Sequence, residues 1–197
     1  MPSLTFRRLV GLALAATLAS GCGTDAGSGA EPSATQVDHR TTLVDHDGDG
    51  WTMARGSGRV RIIFFGYTMC ADACPIAMSR IAQASRLLGT DSARLDAIFV
   101  SVDRERDTPA VLASYVKAFA FPLTGLTGSK EAIDVFAANF GARYEIERSD
   151  SAAGYLVSHT TTLFLVDGQG RIRNRYASTA TPAEIAAGVR TLLQETP

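Results

Sequence analysis

The chain has 197 residues, 46 % of them hydrophobic, enough for one domain with a true core plus a short appendage. Its 19 basic and 20 acidic residues leave a formal net charge of −1, which excludes the basic footprint of a nucleic-acid binder. Partners must therefore be recognised through particular sites rather than through bulk charge.

The first segment does not read as part of a fold. Arg7 and Arg8 precede an apolar run at 9–18, too short to span a bilayer and of the size of an export-signal core. The run ends in Leu18-Ala19-Ser20-Gly21-Cys22, which resembles the lipobox of bacterial lipoproteins, with Ala19 where that motif usually has leucine. The resemblance implies a signal at 1–21, lipidation of Cys22, and a domain anchored to a bacterial membrane on its periplasmic or extracytoplasmic side. An ordinary signal peptide cut nearby would instead leave Cys22 a free thiol. Removing the signal takes two of the 19 basic residues and none of the 20 acidic ones, leaving a net charge of −3. Residues 22–37 read as a flexible tether, rich in Gly, Ser and Ala over 23–35, and 38–197 as the folded domain.

Asp45-His46-Asp47-Gly48-Asp49-Gly50 fits the opening of an EF-hand loop. Its twelfth position is Gly56 rather than a bidentate glutamate, so a turn between short strands with an exposed His46 is the better reading. Val-Arg-Ile-Ile-Phe-Phe at 60–65 predicts a buried strand. Ala77, Ile81, Ala84 and Leu88 follow at helical spacing, with Gly89 as the stop. Residues 95–102 predict a second buried strand, and Asp107-Thr108-Pro109 opens a helix that runs to about Phe119. A brief strand at 123–126 and a helix at 129–140 come next, then a solvated strand face at 143–148. Residues 161–166 and 171–176 flank Asp167-Gly168-Gln169-Gly170 as a hairpin, and 181–193 closes the chain as an amphipathic helix. This alternation indicates an α/β layered domain.

The chemistry concentrates in Phe64-Phe65-Gly66-Tyr67-Thr68-Met69-Cys70-Ala71-Asp72-Ala73-Cys74-Pro75. Of three cysteines, only Cys70 and Cys74 remain once Cys22 is lipidated. Export places them where thiols oxidise unless a metal or reductant holds them, and the loop they would close is too small to stabilise much of a fold. Their purpose is therefore chemical. A strand runs out into a turn here, and a helix begins near the second cysteine. Helical residues i and i+4 share a face with α-carbons about 6.2 Å apart, which suits a disulfide or two sulfurs on one ion. A helix N-terminus lowers a thiol's pKa, making thiolate available as ligand or nucleophile. Two thiolates form an incomplete metal site, and the chain offers His39, His46 and His159. His159 stands immediately ahead of a predicted strand, where it could face the cysteine loop. By spacing alone, a structural imidazole is the commoner reading of a lone histidine. Met69 reads as a loop residue or an extra soft ligand.

The cysteine segment, with Ser101-Val102-Asp103-Arg104-Glu105-Arg106-Asp107-Thr108-Pro109, Leu126-Thr127-Gly128 and the block around His159, resembles the Sco/SenC family of copper-binding proteins in residue type and order. That family's cysteine segment reads roughly Phe-Gly-Tyr-Thr-x-Cys-Pro-Asp-Val-Cys-Pro, which the chain matches over 65–75 except at two positions, and the likeness spans about 41–193. It implies a thioredoxin-like single domain, a central mixed sheet flanked by helices, following the signal and tether. It implies copper, as Cu(I) or Cu(II), on Cys70, Cys74 and His159. It further implies a metallochaperone role in assembling the binuclear copper centre of cytochrome c oxidase, with a copper donor and the oxidase's copper-centre subunit as partners. Ala71, Ala73 and Arg104 depart from the family pattern, and Ser158 replaces an aspartate commonly found before the histidine, altering a charge beside the metal. Asp103 reads either as a carboxylate supporting the ligands or as a polar strand end.

Soft thiolates favour Cu(I), imidazole suits both copper states, and Cu(II) heads the divalent affinity series. Oxidation to a disulfide would remove both thiolate ligands. No base-activated nucleophile with a substrate pocket is evident, so a binding protein is expected rather than an enzyme. The chief rival is a thiol–disulfide oxidoreductase that reduces partner cysteines. Against it stand the three residues between the cysteines, where thioredoxins have two, and Ser158-His159-Thr160 where they place a proline. Zinc with a fourth ligand also fits by donor type.

Overall fold

The computed structural model describes residues 35–55, 58–148 and 154–195; the signal, most of the tether, Cys22 and Gly56 lie outside them. In chain order the elements are β1 (Thr35–Gln36), β2 (Leu43–Asp45), β3 (Gly50–Trp51), β4 (Val60–Gly66), α1 (Ala73–Leu88), β5 (Leu95–Ser101), α2 (Pro109–Lys117), β6 (Leu123–Thr127), α3 (Lys130–Phe140), β7 (Tyr144–Arg148), β8 (Tyr155–His159), β9 (Leu163–Val166), β10 (Arg171–Tyr176) and α4 (Pro182–Glu195). A 3-10 turn at Gly89–Arg94 joins α1 to β5.

Every residue of β4 is buried, as a strand covered on both faces requires. The pleat sends Ile62 and Phe64 into one core with Cys74, Ile81, Leu112 and Val189, so α1, α2 and α4 cover that face. Ile63 and Phe65 enter a second core with Trp51, Phe136, Phe140 and Phe164, beneath α3 and the β2–β3 turn. There Phe65 and Phe164 stand 5.5 and 5.2 Å from Phe140 between ring centroids, in the edge-on arrangement that aromatic quadrupoles favour. β4, β5 and β6 run parallel, while β9 lies antiparallel on the other side of β4. The sheet order is β1-β10-β9-β4-β5-β6-β2-β3, a mixed sheet.

The helix ends follow their capping residues. Thr108 accepts from the Val111 N–H, with Pro109 in the first turn, and Ser129 accepts from the Ala132 N–H. Thr181 and Glu184 cap α4 reciprocally, at 3.2 Å from the Glu184 N–H to Thr181 Oγ1 and 2.7 Å from the Thr181 N–H to Glu184 Oε2. α2 stops at Lys117, short of the expected Phe119, because the Ala118 and Phe119 N–H groups bond three residues back in a tight turn.

The structure corrects three expectations. Order reaches back into the stretch assigned to the tether: Thr35 and Gln36 pair with β10, and Val37 is fully buried. His46 is not exposed. Because β2 docks against β6, its Nδ1 accepts the Gly125 N–H at 3.2 Å, and only 20 % of the side chain reaches solvent. Finally, the segment ahead of β9 is not a loop: His159 precedes β9, as expected, but itself ends a strand. β8 pairs antiparallel with β7, Tyr144 opposite His159, in a two-stranded ribbon separate from the main sheet. The Asp45 turn is a closed unit, since its carboxylate accepts the Asp47 and Asp49 N–H groups and pairs with Arg55 at 2.6 Å. That carboxylate is thereby committed to the turn and its arginine rather than to a calcium ion.

Candidate metal centre

The turn after β4 is built to present sulfur. Asp107, fully buried, accepts the Thr68 N–H at 2.9 Å and the Thr68 hydroxyl at 2.6 Å, and also takes the Ser101 hydroxyl at 2.5 Å. With Thr68 held, the Cys70 N–H bonds back to the Tyr67 carbonyl at 3.2 Å. α1 starts only at Ala73, so Cys70 stands outside the helix, unlike two residues sharing one helical face. Its Sγ instead accepts the Cys74 N–H at 3.4 Å, satisfying one of the donors that a helix N-terminus leaves unpaired. Cys74 lies at 0 % exposure, and burial pushes its thiol far above the ordinary range. At Cys74 desolvation therefore overrides the expected lowering by the helix terminus, and a metal must displace its proton on binding.

β8 delivers the third group. His159 Nδ1 lies 3.0 Å from the Thr160 carbonyl, which can only accept, so Nδ1 carries the hydrogen and Nε2 presents its lone pair. Nε2 stands 3.6 Å from Cys74 Sγ and 4.0 Å from Cys70 Sγ. Burial lowers the pKa of the ring, which favours the neutral form that a metal needs. The edge-on rings of Phe64 and Tyr67 hold it at 5.8 and 5.7 Å. Three donors on one ion, with bonds of about 2.0–2.3 Å, sit about 3.6–4.0 Å apart, so the arrangement fits. The three ligand atoms all lie within 4.8 Å of one another, and no other such cluster of His, Cys, Asp or Glu occurs among the described residues.

The two sulfurs should react unequally. Cys70 is partly exposed and Cys74 is not, so iodoacetamide is expected to alkylate Cys70 at least about tenfold faster in the folded, reduced chain. Peptide mass mapping reads each site, and equal labelling of both would contradict the burial of Cys74.

Other candidates fall away from the centre. Asp103 is fully buried, but it bonds to Tyr155 at 2.5 Å and to Arg106 rather than to the side chains of Cys70, Cys74 or His159. Burial and that bond push the Tyr155 hydroxyl up to about 12, which keeps it a donor. The carboxylate that reaches the cysteine turn is Asp107, which sequence reasoning used only as a helix opener. Ser158 is exposed on the opposite pleat from His159, so this departure from the family pattern alters the surface beside the site. Met69 is 62 % exposed. His39 Nε2 meets Gln36 at the β1–β10 edge. Gly66 is a further residue whose part was not foreseen: a methyl group there would lie 2.6 Å from Cys74 Sγ and 2.8 Å from Phe99 Cε2.

A mixed sheet with a Cys-x-x-x-Cys turn after its central strand, faced by one imidazole, defines a thioredoxin-like protein with two thiols and an imidazole close enough to hold a metal ion. The chain belongs to the SCO1/SenC family, whose model matches residues 29–194. It is 32 % identical to protein SenC of Rhodobacter capsulatus over 161 residues, covering 82 % of this chain and 72 % of that protein. It is also 32 % identical to the human mitochondrial SCO1 homolog over 152 residues, 76 % of this chain, and spans only 50 % of that longer protein. The structure of Bradyrhizobium japonicum ScoI with copper bound superposes with a TM-score of 0.71 at 33 % identity, covering 77 % of this chain and 96 % of that one.

Proposed function

We propose that this chain is a copper-binding metallochaperone that assists assembly of the copper centre of cytochrome c oxidase, with Cys70, Cys74 and His159 as its copper ligands. One observation carries the reading: two sulfurs and a lone-pair ring nitrogen converge at ligand spacing on a turn that family membership links to a copper-bound relative. Soft sulfur donors favour Cu(I), and the imidazole allows Cu(II) as well. The partners are a copper donor and the oxidase subunit that receives the ion. Cys22, in its lipobox-like setting, would tether the domain to a bacterial membrane on its periplasmic or extracytoplasmic side.

Oxidising the two thiols to a disulfide sends two electrons to an acceptor, releases two protons and removes both sulfur ligands, so the same pair couples copper retention to redox state. The contrast between a partly exposed Cys70 and a buried Cys74 also favours a second reading, reduction of a partner's disulfide. There Cys70 attacks, Cys74 resolves, and the partner leaves as a dithiol while this pair becomes the disulfide.

Metal analysis and copper titration of the purified, reduced chain, beside His159→Ala, test the proposal. About one copper per chain is expected, with the affinity of the variant lowered by about 10–100-fold. Predominant zinc, no metal, or an unchanged affinity and spectrum in His159→Ala would overturn it.

A further inference from the structure

The third ligand rides on a ribbon that shares no ladder with the main sheet, so something other than strand pairing must register it against the sulfurs. Besides Val157 in the core and the Phe64 ring against His159, the directional contacts that do so lie in the loop at 103–107. Tyr155 begins β8, four residues before His159 and about 13 Å away along the strand. Its hydroxyl donates to Asp103 Oδ1 at 2.5 Å, and its carbonyl accepts from Arg106 Nη1 at 3.4 Å. The Arg106 guanidinium lies 3.8 Å from the centroid of the Tyr155 ring and 5.7 Å from that of Tyr67. Tyr67 in turn sets its ring edge-on to His159 at 5.7 Å. Arg106 is thus interposed between a tyrosine of the ribbon and a tyrosine of the cysteine turn. Asp103 anchors it from beneath, and the Asp107 N–H closes the loop onto the Asp103 carbonyl at 2.8 Å.

We infer that Tyr155 and Arg106 are positioning residues: through Asp103 they fix the His159 ribbon against the cysteine turn, and so set metal affinity through the imidazole rather than through the thiols. One short loop then aligns both halves of the site, with Asp107 holding the sulfur side and Asp103 with Arg106 the nitrogen side. The inference rests on the reading of His159 as a ligand. A cation between two aromatic faces, tied to a buried carboxylate, is a directional clamp that a lysine or a lone hydrogen bond would not reproduce.

Tyr155 gives the cleaner test, because truncating Arg106 would strand the buried Asp103 carboxylate and endanger the fold. Tyr155→Phe keeps the ring over Arg106 and loses the hydroxyl; Tyr155→Leu loses both. The probe is Cu(I), titrated into the full reduced chain against a chelator of known affinity, with the disulfide potential measured in thiol redox buffers. Expected are losses of about threefold for Phe and about tenfold or more for Leu, with the disulfide potential unchanged. In the His159→Ala background neither change should weaken copper further, because their effect passes through the missing ring. Unaltered affinity in both single variants, a shifted disulfide potential, or the same loss persisting without His159 would each overturn the clamp. A His159→Ala single variant that binds copper like the parent chain would instead overturn the ligand reading, and the clamp with it.

Discussion

Asp107→Ala is expected to destabilise the reduced, metal-free domain by about 3 kcal/mol, lowering its melting temperature by about 6–12 °C. The carboxylate is wholly buried and serves three donors: the Thr68 N–H, the Thr68 hydroxyl and the Ser101 hydroxyl. Leaving such donors without an acceptor costs about 1–3 kcal/mol each, offset in part where a hydroxyl rotates or water enters the space. The Ser101 hydroxyl also accepts the Asp103 N–H at 3.1 Å, so the loss reaches the loop that abuts the ribbon. Asp107→Asn keeps the volume and one acceptor but turns an NH₂ toward donors, and should cost about half as much. Thermal unfolding followed by circular dichroism checks both values. A shift under about 2 °C for Asp107→Ala would mean that the cysteine turn holds its shape without this carboxylate.

Much of the fold was legible because the strongest signals were local. The apolar run at 60–65 became β4 at Val60–Gly66, and the run beginning at 95 became β5 at Leu95–Ser101. The helices expected from 129 and 181 became α3 and α4, with Ser129 and Thr181 capping them. What the sequence withheld was non-local. The docking of β2 on β6 joins residues near 45 to residues near 126, and no periodicity announces it. The docking nevertheless turned a histidine expected in solvent into an acceptor for a backbone amide. The ribbon was half visible. The polar stretch at 143–148 is indeed a solvated strand face, but its partner Tyr155–His159 lies only three residues before β9 and was read as the approach to that strand rather than as a strand.

The site divides along the same line. Cys70, Cys74 and His159 stood out because sulfur and imidazole are scarce ligand types in this chain and the blocks around them resemble a known family. The groups that place them are ordinary residues whose partners come from elsewhere. Asp107 serves Thr68, 39 positions away, and Asp103 serves Tyr155, 52 positions away. A carboxylate before a Thr-Pro pair carries a sufficient local explanation as a helix opener, so nothing in the sequence asked for a second one. The pKa of Cys74 was misread for a related reason: a helix terminus is visible in sequence, whereas the desolvation that outweighs it depends on the packing of Phe64, Phe99 and α1.

Gly66→Ala is expected to weaken copper binding by about 10–100-fold while leaving the chain folded, with a stability loss of about 1–3 kcal/mol. The position is the last of β4, paired with Ser101 of β5, and its carbonyl accepts the Val102 N–H at 2.9 Å, so the backbone is tied to β5 and the residue after it. The added methyl would stand 2.6 Å from Cys74 Sγ, 2.8 Å from Phe99 Cε2 and 3.1 Å from Phe64 Cε1. Two of these neighbours are rings buried in the core beneath α1, with little room to retreat. The thiol must therefore move, by about 1 Å to regain an ordinary contact, and the Phe99 edge must give as well. A shift of that size pulls Cys74 out of register with Cys70 and His159, and a metal that demands fixed bond lengths reads it directly. Cu(I) competition titration measures the affinity and thermal unfolding the stability. A loss of affinity much larger than the loss of stability would identify Gly66 as the residue that makes room for the buried sulfur. An affinity equal to that of the parent chain would mean that the β4 backbone takes up the methyl without moving Cys74.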